Sequence, residues 1–260
     1  MKKFGIALAA TLILGWSGSV WAGAIYEPEA SLKDVVTPTH NWSGFYAGAH
    51  LGYGWSDKDW TLIQNAGNQP SNQIGTIITS HDADGWLGGI QLGANHQMDN
   101  IVIGGELEIS WSDMDGYSTW TPQGGPNAGV FRDASTDINW MLLLSARAGL
   151  AFDKTLAYVK AGVAWADEDY THTGGSVGTP RFLKGDDRRV GWLAGVGLEH
   201  AYDENWSVKL EYNYIDFGDE RISLTDGDRT ALFDVDQEMH VVKVGVNYRL
   251  VWDRPIESLK

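Results

Sequence analysis

The residues best suited to chemistry in this sequence are carboxylates in polar stretches. Four pairs of aspartates stand two residues apart, at Asp82/Asp84, Asp113/Asp115, Asp226/Asp228 and Asp234/Asp236. Oxygen-rich groups of this kind suit Ca²⁺ or Mg²⁺, which could bridge to phosphate groups outside the protein. No stretch has the complete spacing of a calcium-binding loop. The sequence therefore predicts a solvated acidic surface and no dedicated metal site, and it leaves cation bridging at the loops as a hypothesis.

Other reactive arrangements carry less weight. His81 and His172 could ligate haem iron, but no apolar pocket motif accompanies them. The His-x-Ser spacing of barrel lipid-A deacylases is absent, and Asp186 and Asp187 have no partner, because His200 is expected near the opposite turn. The glycine-rich stretches lack the Lys-Ser/Thr pair of a phosphate-binding loop. We predict neither catalysis nor a cofactor.

Composition and charge narrow the class of protein. The chain has 260 residues, with 34 Asp and Glu against 19 Lys and Arg, so its formal net charge is -15. Nucleic-acid binding needs a basic face, which this balance disfavours. The absence of cysteine excludes a disulfide framework, a cysteine nucleophile and a thiolate metal site. A mean hydropathy of -0.24 disfavours a bundle of membrane helices, whereas strands that alternate apolar and polar residues average to similar values.

The amino terminus has the features of an export signal. Lys2 and Lys3 precede a short apolar run over 4–16, and small residues favour cleavage after Ala22. Residues 23–41 contain Pro28 and Pro38 without periodicity. We predict a signal peptide over 1–22 and a flexible periplasmic leader over 23–41.

From Trp42 onward, apolar residues recur with the period of two that is typical of β-strands. In the fourth segment, for example, Ile138, Trp140 and Leu142 share the apolar face. Eight such segments occur, each close to the ~9–11 residues of a tilted membrane strand. They cover about 43–55, 86–98, 101–111, 138–150, 157–165, 190–199, 206–214 and 240–250.

The connections alternate between short and long. Asp99-Asn100, Asp153-Lys154 and Asp203-Glu204-Asn205 have the composition of tight turns. Long polar stretches lie between them, at 56–83, 113–137, 167–188 and 216–236. This pattern predicts an all-β, eight-stranded antiparallel up-and-down transmembrane β-barrel over 42–250, with a periplasmic tail over 251–260. A soluble periplasmic β-sandwich is the alternative fold.

Tryptophans recur near the ends of the predicted strands. Six lie at the long-loop ends and two at the other rim: Trp55, Trp86, Trp111, Trp140, Trp165 and Trp192, and then Trp42 and Trp206. Indole rings prefer the headgroup level of a membrane. We predict that these eight residues form an aromatic girdle.

The polar faces of the strands carry charges of both signs. We predict these charges inside the barrel: Glu106, Glu108, Arg147, Lys160, Glu199, Lys209, Glu211, Lys243 and Arg249. The turn centred on Glu204 sets Glu199 opposite Lys209. Arg147 and Lys160 would face each other. Glu106 or Glu108 on one side and Glu199 on the other could then relieve the repulsion between these two cations. An eight-stranded barrel is just wide enough for its own side chains, so a plugged interior is favoured over an aqueous pore.

Three motifs carry a family resemblance that extends over 42–250. They are Trp42-Ser43-Gly44-Phe45-Tyr46-Ala47-Gly48 with Gly52-Tyr53-Gly54, Glu211-Tyr212-Asn213-Tyr214-Ile215-Asp216-Phe217-Gly218, and Lys243-Val244-Gly245-Val246-Asn247-Tyr248-Arg249-Leu250. The chain resembles small outer-membrane β-barrel proteins of the OmpA/OmpX type, above all the porin-family surface antigens of alphaproteobacteria. The last motif is similar to a barrel-assembly signal, carried here by Lys243, Gly245, Tyr248 and Leu250. Relatives usually end on an aromatic residue, where this chain has Leu250 and continues.

The resemblance implies a location in the bacterial outer membrane and a structural role in envelope integrity, with surface exposure and immunogenicity. Its implied partners are outer-membrane lipid, lipopolysaccharide and, during insertion, the barrel-assembly machinery. Some relatives are porins or haem binders. A narrow porin-like diffusion channel and a surface protein for haem binding or adhesion are therefore the alternatives.

Overall fold

The computed structural model describes residues 40–64, 75, 77–120, 130–176, 179–225 and 230–250. The predicted signal peptide, most of the predicted leader, the tail 251–260 and the pair Asp226/Asp228 lie outside these ranges. The side chains of His81 and Asp187 also lie outside the described part of the structure.

Eight antiparallel strands close into a barrel. They are β1 (Gly44–Gln64), β2 (Ile77–Met98), β3 (Ile101–Trp120), β4 (Val130–Phe152), β5 (Thr155–Ser176), β6 (Thr179–Ala201), β7 (Trp206–Thr225) and β8 (Thr230–Leu250). Each strand pairs with the next, and β1 pairs with β8. The predicted eight-stranded antiparallel barrel is confirmed. The described ranges contain no helix that is long and apolar enough to cross a membrane.

The strands are longer than the sequence predicts. They run from 20 to 23 residues, so the stretches predicted as long polar loops are mostly strand. Exposed and buried residues still alternate in these extensions, but the apolar residues change sides. In β1, Trp60 and Leu62 are buried whereas Asp57 and Asp59 are exposed. The loop prediction is wrong because the outward residues beyond the tryptophans are mostly polar, and the apolar face that identifies each strand turns inward there.

The three tight turns lie where the sequence predicts them. Asp99 and Asp153 have positive φ angles of 54° and 52°, a conformation that Asp tolerates better than most residues. In the third turn, a carboxylate oxygen of Asp203 accepts hydrogen bonds from the backbone N–H groups of Asn205 and Trp206, both at 2.8 Å. All three turns lie at one rim, and the extended strands lie at the other.

A bulge in β4 overturns one facing prediction. The register between β4 and β5 shifts between Ile138 and Trp140. A slip of one residue moves a side chain to the opposite face of the sheet. Ile138 is therefore buried in the barrel, at 1 % exposure, whereas Trp140 and Leu142 remain on the outer face.

Buried apolar side chains fill the interior at three levels. The first cluster, towards the short-turn rim, contains Trp42, Val102, Ala151, Leu156, Tyr158 and Ala201. The second, near the level of the tryptophans, contains Leu87, Met114, Ile138, Met141, Leu143, Ala164, Ala166, Leu193, Ile215, Phe217, Met239 and Val241. The third, inside the extensions, contains Trp60, Leu62, Tyr170, Leu183, Ile222, Leu224, Ala231, Phe233 and Val235.

Two glycines make room for inward tyrosines. Tyr46 lies opposite Gly93, where an added Cβ would come within 2.2 Å of the tyrosine Cζ atom. Tyr158 lies opposite Gly197 in the same way, with a Cβ-to-Cζ distance of 2.4 Å. The missing side chains let both rings lie flat across the neighbouring strand and reach into the interior.

Candidate functional site

A cluster of six charges lies inside the barrel. It consists of Glu106 and Glu108 from β3, Lys160 from β5, Lys209 and Glu211 from β7, and Lys243 from β8, and we call it the interior charge cluster. The six side chains are at most 1 % exposed. Burying a single charge is unfavourable, but this set holds three carboxylates and three ammonium groups. The cluster is therefore electrically balanced.

Each lysine of the cluster contacts more than one glutamate. The Lys160 Nζ atom lies 2.8 Å from Glu211 and 3.3 Å from Glu106, and it also binds Glu108. Lys209 lies 3.0 Å from Glu106. Lys243 lies 3.0 Å from Glu211 and binds Glu108 as well. Oxygens of the three carboxylates come within 4.8 Å of one another, which is close enough to hold a cation, and the lysine ammonium groups supply that positive charge.

Arg147 forms a second ionic centre next to this cluster. Its guanidinium group lies 3.1 Å from Glu199 and 3.9 Å from Glu106. The rings of Tyr46 and Tyr158 flank it, with centroids 4.6 and 5.1 Å from its Cζ atom. The aromatic faces and both carboxylates favour its charged form.

Two register predictions for these charges hold, although the ion pairs differ. Glu199 lies opposite Lys209 on the adjacent strand, but Lys209 binds Glu106 across the interior, and Glu199 binds Arg147. Arg147 and Lys160 do face each other, and glutamates on both sides relieve the repulsion. A turn fixes which residues are opposite, whereas the curvature of the closed barrel decides which side chains meet.

A further polar layer, which the sequence pattern did not predict, lies in the extensions. Lys58 lies 2.7 Å from Glu168, and both side chains are fully buried. Gln237 donates to the same carboxylate at 2.8 Å, and Arg189 donates to Gln237 at 2.8 Å. Burial lowers the pKa of Lys58 to about 8, against the opposing effect of Glu168. The sequence signal for this layer is Lys58. It lies in an alternating stretch in which its neighbours Asp57 and Asp59 both face outward, so Lys58 itself faces inward.

Paired charges and apolar side chains thus fill the described interior in successive layers. The apolar cluster at the tryptophan level separates the interior charge cluster from the Lys58–Glu168 layer. A cavity at the short-turn mouth, lined among others by Trp42, Tyr46 and Arg249, has a volume of only about 20 Å³. That space holds a single water molecule. The described side chains therefore leave room for little water at this mouth.

The outer surface carries the tryptophans at a common level. Trp55, Trp86, Trp111 and Trp192 are exposed on the outer face, and Trp140 and Trp165 are half-exposed. On β7 and β8, which lack a tryptophan here, Tyr214 and His240 take the equivalent positions: Tyr214 packs against Trp192 at 5.4 Å and His240 stacks on Trp55 at 5.5 Å. Trp206 is exposed at the opposite rim.

Trp42 corrects the girdle prediction. It is 4 % exposed and packs inside the short-turn mouth with Val102 and Leu156. Its backbone N–H donates to the side chain of Gln97 at 2.7 Å, so the chain before β1 turns into the barrel mouth instead of running along the outer surface.

Arg249 and the assembly-signal residues occupy different environments. Arg249 is half-buried at the mouth, where it donates to the backbone carbonyls of Glu204 and Asn41, instead of joining the interior charges as predicted. Lys243 belongs to the interior charge cluster. Gly245 faces inward beside Lys209, and Tyr248 and Leu250 are exposed on the outer face.

A ring of carboxylates surrounds the barrel beyond the tryptophans. Nine acidic residues form two rows in which each lies directly opposite another: Asp82–Asp57–Glu238–Asp216, and Asp84–Asp115–Asp137–Asp169–Asp186. We call these nine residues the carboxylate belt. All are exposed except Asp216, which is half-buried. Like charges directly opposite one another destabilise a sheet, so repulsion within the belt opposes folding.

Electrostatics within the belt reflect this crowding. Partial burial and then Asp82 raise the pKa of Asp57. Partial burial and then Asp115 and Asp169 raise the pKa of Asp137. Three of the paired aspartates predicted from the sequence, Asp82, Asp84 and Asp115, belong to the belt, as does Asp186. Asp113 is exposed beside it, while Asp234 pairs with Arg221 at 2.9 Å and Asp236 lies opposite Asp59.

The remaining candidate groups do not form a site in the described residues. The His172 ring packs against Phe233, with centroids 5.4 Å apart. His200 lies beside the short-turn rim, opposite Thr155. Asp186 is 14 positions away on the same strand, about 46 Å at 3.3 Å per residue. That distance keeps this histidine and this aspartate from acting together.

Comparison with known proteins agrees with the architecture. The family model described as outer membrane protein beta-barrel domain matches residues 28–249. The 31 kDa outer-membrane immunogenic protein of Brucella melitensis is 29% identical over 228 residues, covering 86% of this chain and 90% of that protein. The 25 kDa outer-membrane immunogenic protein of Brucella abortus is 26% identical over 249 residues, covering 94% and 97%.

A solved structure shows the same fold. The outer membrane protein OprG from Pseudomonas aeruginosa superposes with a TM-score of 0.51 at 14% identity, covering 83% of this chain and all of OprG. The match to the family model extends over most of the chain, and its relatives are outer-membrane proteins. The chain therefore belongs to the outer membrane protein beta-barrel domain family and is a protein of the bacterial outer membrane.

Proposed function

We propose that this protein is a closed structural barrel that contributes to the integrity of the outer membrane. The observation that carries this proposal is the filled interior, in which paired charges and apolar clusters alternate along the described strands. A diffusion channel needs a continuous water-lined path, and the apolar cluster at the tryptophan level interrupts one. Signal peptide 1–22, insertion by the assembly machinery and a non-enzymatic role belong to the same proposal.

Conductance measurements on the refolded mature protein in planar bilayers test the closed interior. We expect no stable conductance steps from protein whose folding is verified by heat-dependent mobility on gels. Glu106→Gln and Lys209→Gln are the informative variants, because both residues lie in the interior charge cluster. Stable steps whose ion selectivity changes in these variants would establish a narrow channel and overturn the proposal.

We further propose that the carboxylate belt binds lipopolysaccharide through divalent cations. The belt lies just beyond the aromatic residues that mark the membrane interface, at the level where lipopolysaccharide phosphates are expected. Mg²⁺ or Ca²⁺ between two sets of anions would relieve repulsion within the belt and attach the barrel to its lipid. The directly opposed carboxylates support this function.

The cation requirement is tested by thermal unfolding in membranes that contain lipopolysaccharide. We expect EDTA to lower the unfolding temperature of the wild type and to have a smaller effect on the variant Asp115→Asn/Asp137→Asn/Asp169→Asn. Asp99→Asn, at the opposite rim, is the matched control and should respond like the wild type. An unchanged unfolding temperature of the wild type on adding EDTA would contradict cation bridging.

A further inference from the structure

The ladder of paired residues between β6 and β7 is interrupted. Their ladder is continuous from Ala201↔Ser207 to Trp192↔Asp216 and resumes only at Lys184↔Thr225. This is the longest interruption within the ladders of the described strands. Over the same stretch, β6 remains paired with β5, and β7 with β8. The result is a bounded stretch without ladder pairing between residues 185–191 and 217–224, which we call the β6–β7 window.

A cavity of about 230 Å³ lies at the outer end of this window. Its lining combines polar and apolar groups: Tyr170, Gly185, Asp186, Arg221, Ile222, Ser223 and Leu224. Tyr170, Ile222 and Leu224 belong to the buried apolar cluster of the extensions, whereas Asp186, Arg221 and Ser223 are exposed. The cavity is therefore a recess in the outer wall with an apolar floor and a polar rim.

Buried polar groups at the window are incompletely satisfied. The guanidinium group of Arg189, fully buried, donates to the backbone carbonyls of Gly218 at 2.6 Å and Val235 at 2.7 Å. Its Nε atom has no hydrogen-bond partner among the described residues. The backbone groups of the two facing strand edges also lack ladder partners across the window. A ligand with several hydroxyl groups, each both donor and acceptor, matches such a surface.

The rim also differs in charge from the rest of the outer wall. Asp186 and Asp216 are the two ends of the carboxylate belt, so the belt is interrupted at the window. Arg221 lies on the rim, 60 % exposed and paired with Asp234 at 2.9 Å. An acid and a base within one recess suit a polyol that carries little net charge, whereas the neighbouring belt suits cations.

The depth of the window indicates which class of polyol the recess would meet. Trp192 marks the interface at the inner end of the window, and the seven residues beyond it extend about 23 Å along a strand at 3.3 Å per residue. The recess, which begins at Asp186 in the carboxylate belt, therefore lies at the outer edge of the phosphate level, next to the first sugars of lipopolysaccharide. Its volume equals about seven to eight water molecules at ~30 Å³ each, close to one sugar ring with its hydroxyl groups.

We propose that the recess in the β6–β7 window binds one sugar residue of the lipopolysaccharide oligosaccharide. Asp186 and Arg221 would hydrogen-bond its hydroxyl groups, and the floor of Ile222 and Leu224 would contact its apolar face. The inference rests on the proposed proximity of the belt to lipopolysaccharide, but the contact it describes needs no divalent cation. The requirement for a divalent cation therefore distinguishes the proposed cation bridging at the belt from the proposed sugar site.

Isothermal titration calorimetry on the refolded full-length mature barrel tests the site. The probe is the soluble oligosaccharide released from a rough-type lipopolysaccharide by complete deacylation, titrated first in EDTA and then in Mg²⁺. We expect saturable binding by the wild type and a loss of about tenfold or more in affinity for Asp186→Ala/Arg221→Ala, since each removed partner leaves a hydrogen bond unmade. Lys154→Ala is the control, because Lys154 is an exposed basic residue in a tight turn at the opposite rim, outside the β6–β7 window. Its affinity should stay within about twofold of the wild type.

The possible outcomes separate the window from the belt. Binding that disappears in EDTA but returns with Mg²⁺ would overturn the window site and leave the belt proposal intact. Equal affinity of the wild type and Asp186→Ala/Arg221→Ala would also overturn it. Binding that persists in EDTA and is lost in the double variant supports the window, even where EDTA leaves the thermal stability in membranes unchanged. Heat-dependent gel mobility verifies that every variant is folded.

Discussion

Replacing Lys160 by Met should destabilise the barrel more than any exposed substitution. The Lys160 Nζ atom contacts Glu106, Glu108 and Glu211, all fully buried. Without it, three glutamates face two lysines, and one carboxylate is left without compensation. Breaking a buried ion pair by removing one partner costs about 3–5 kcal/mol. The extra charge has no access to solvent, so we expect a loss in the upper half of that range.

A double-mutant cycle makes this reasoning testable. Lys160→Met/Glu211→Gln restores the balance to two against two, so its cost should fall below the sum of the single costs by about 2–3 kcal/mol. The assay is urea unfolding of the refolded barrel in lipid vesicles, followed by tryptophan fluorescence. Lys154→Met, in an exposed turn, is the control and should change the free energy of unfolding by less than about 0.5 kcal/mol. A cost for Lys160→Met below about 1 kcal/mol, or additive single costs, would refute the role of charge balance.

Three further predictions concern other parts of the barrel. Gly93→Val should prevent stable folding, because its Cβ would overlap the ring of Tyr46, and heat-dependent gel mobility measures the folded fraction. Gly88→Val is the control. Gly75→Val is not a matched control, because the φ angle of Gly75 is positive although the space around it is open. Trp42→Ala should lower the free energy of unfolding by about 3–5 kcal/mol through loss of the mouth cluster, and an effect below 1 kcal/mol in urea unfolding would place Trp42 outside the packed interior. In EDTA, the unfolding temperature should rise as the pH falls from neutral towards the ordinary range of carboxylates. Partial burial, Asp115 and Asp169 raise the pKa of Asp137 in the folded protein, and protonation of such a group stabilises the fold. Asp137→Asn should reduce this rise, and a fall in the unfolding temperature of the wild type over the same pH range would contradict the reasoning.

Local sequence patterns were sufficient for the wall of the barrel near the membrane. Alternation gives the facing of each strand, and a turn such as Asp203–Asn205 fixes the register of the strands it joins. Glu199 therefore lies opposite Lys209, as predicted. These features depend only on residues close in the chain, which is why a single sequence carries them.

The contacts across the interior could not be predicted in this way. Lys209 binds Glu106, 103 residues away, and that choice depends on how eight strands tilt and close. Trp42 shows a second limit. Its type and position favour the membrane interface, but the hydrogen bond to Gln97 and the contact with Val102 place it inside the mouth, and no local pattern contains those partners.

The loop prediction is wrong for a physical reason that also bears on the proposed function. Below the tryptophans, the outward face meets lipid and is apolar, so charges are confined to the interior and must pair. Beyond them, the outward face meets water and phosphate, so residues such as Asp57 and Asp137 face outward and Trp60 and Phe233 face inward. The hydrogen-bonded wall is common to both parts, and only the surrounding solvent differs.

This reversal determines both the depth of the barrel in the membrane and the side of its wall on which the proposed binding surface lies. The carboxylate belt begins where the apolar outer face ends, so the residues that could hold cations lie beside the outermost lipid groups and not in an aqueous pore. The same reversal turns apolar side chains such as Trp60 and Phe233 into the upper interior, around the buried pair of Lys58 and Glu168. A barrel built in this way carries its proposed binding groups on the outside of its wall. Its role in the envelope should therefore depend on the lipid and lipopolysaccharide around it and not on solutes that pass through it.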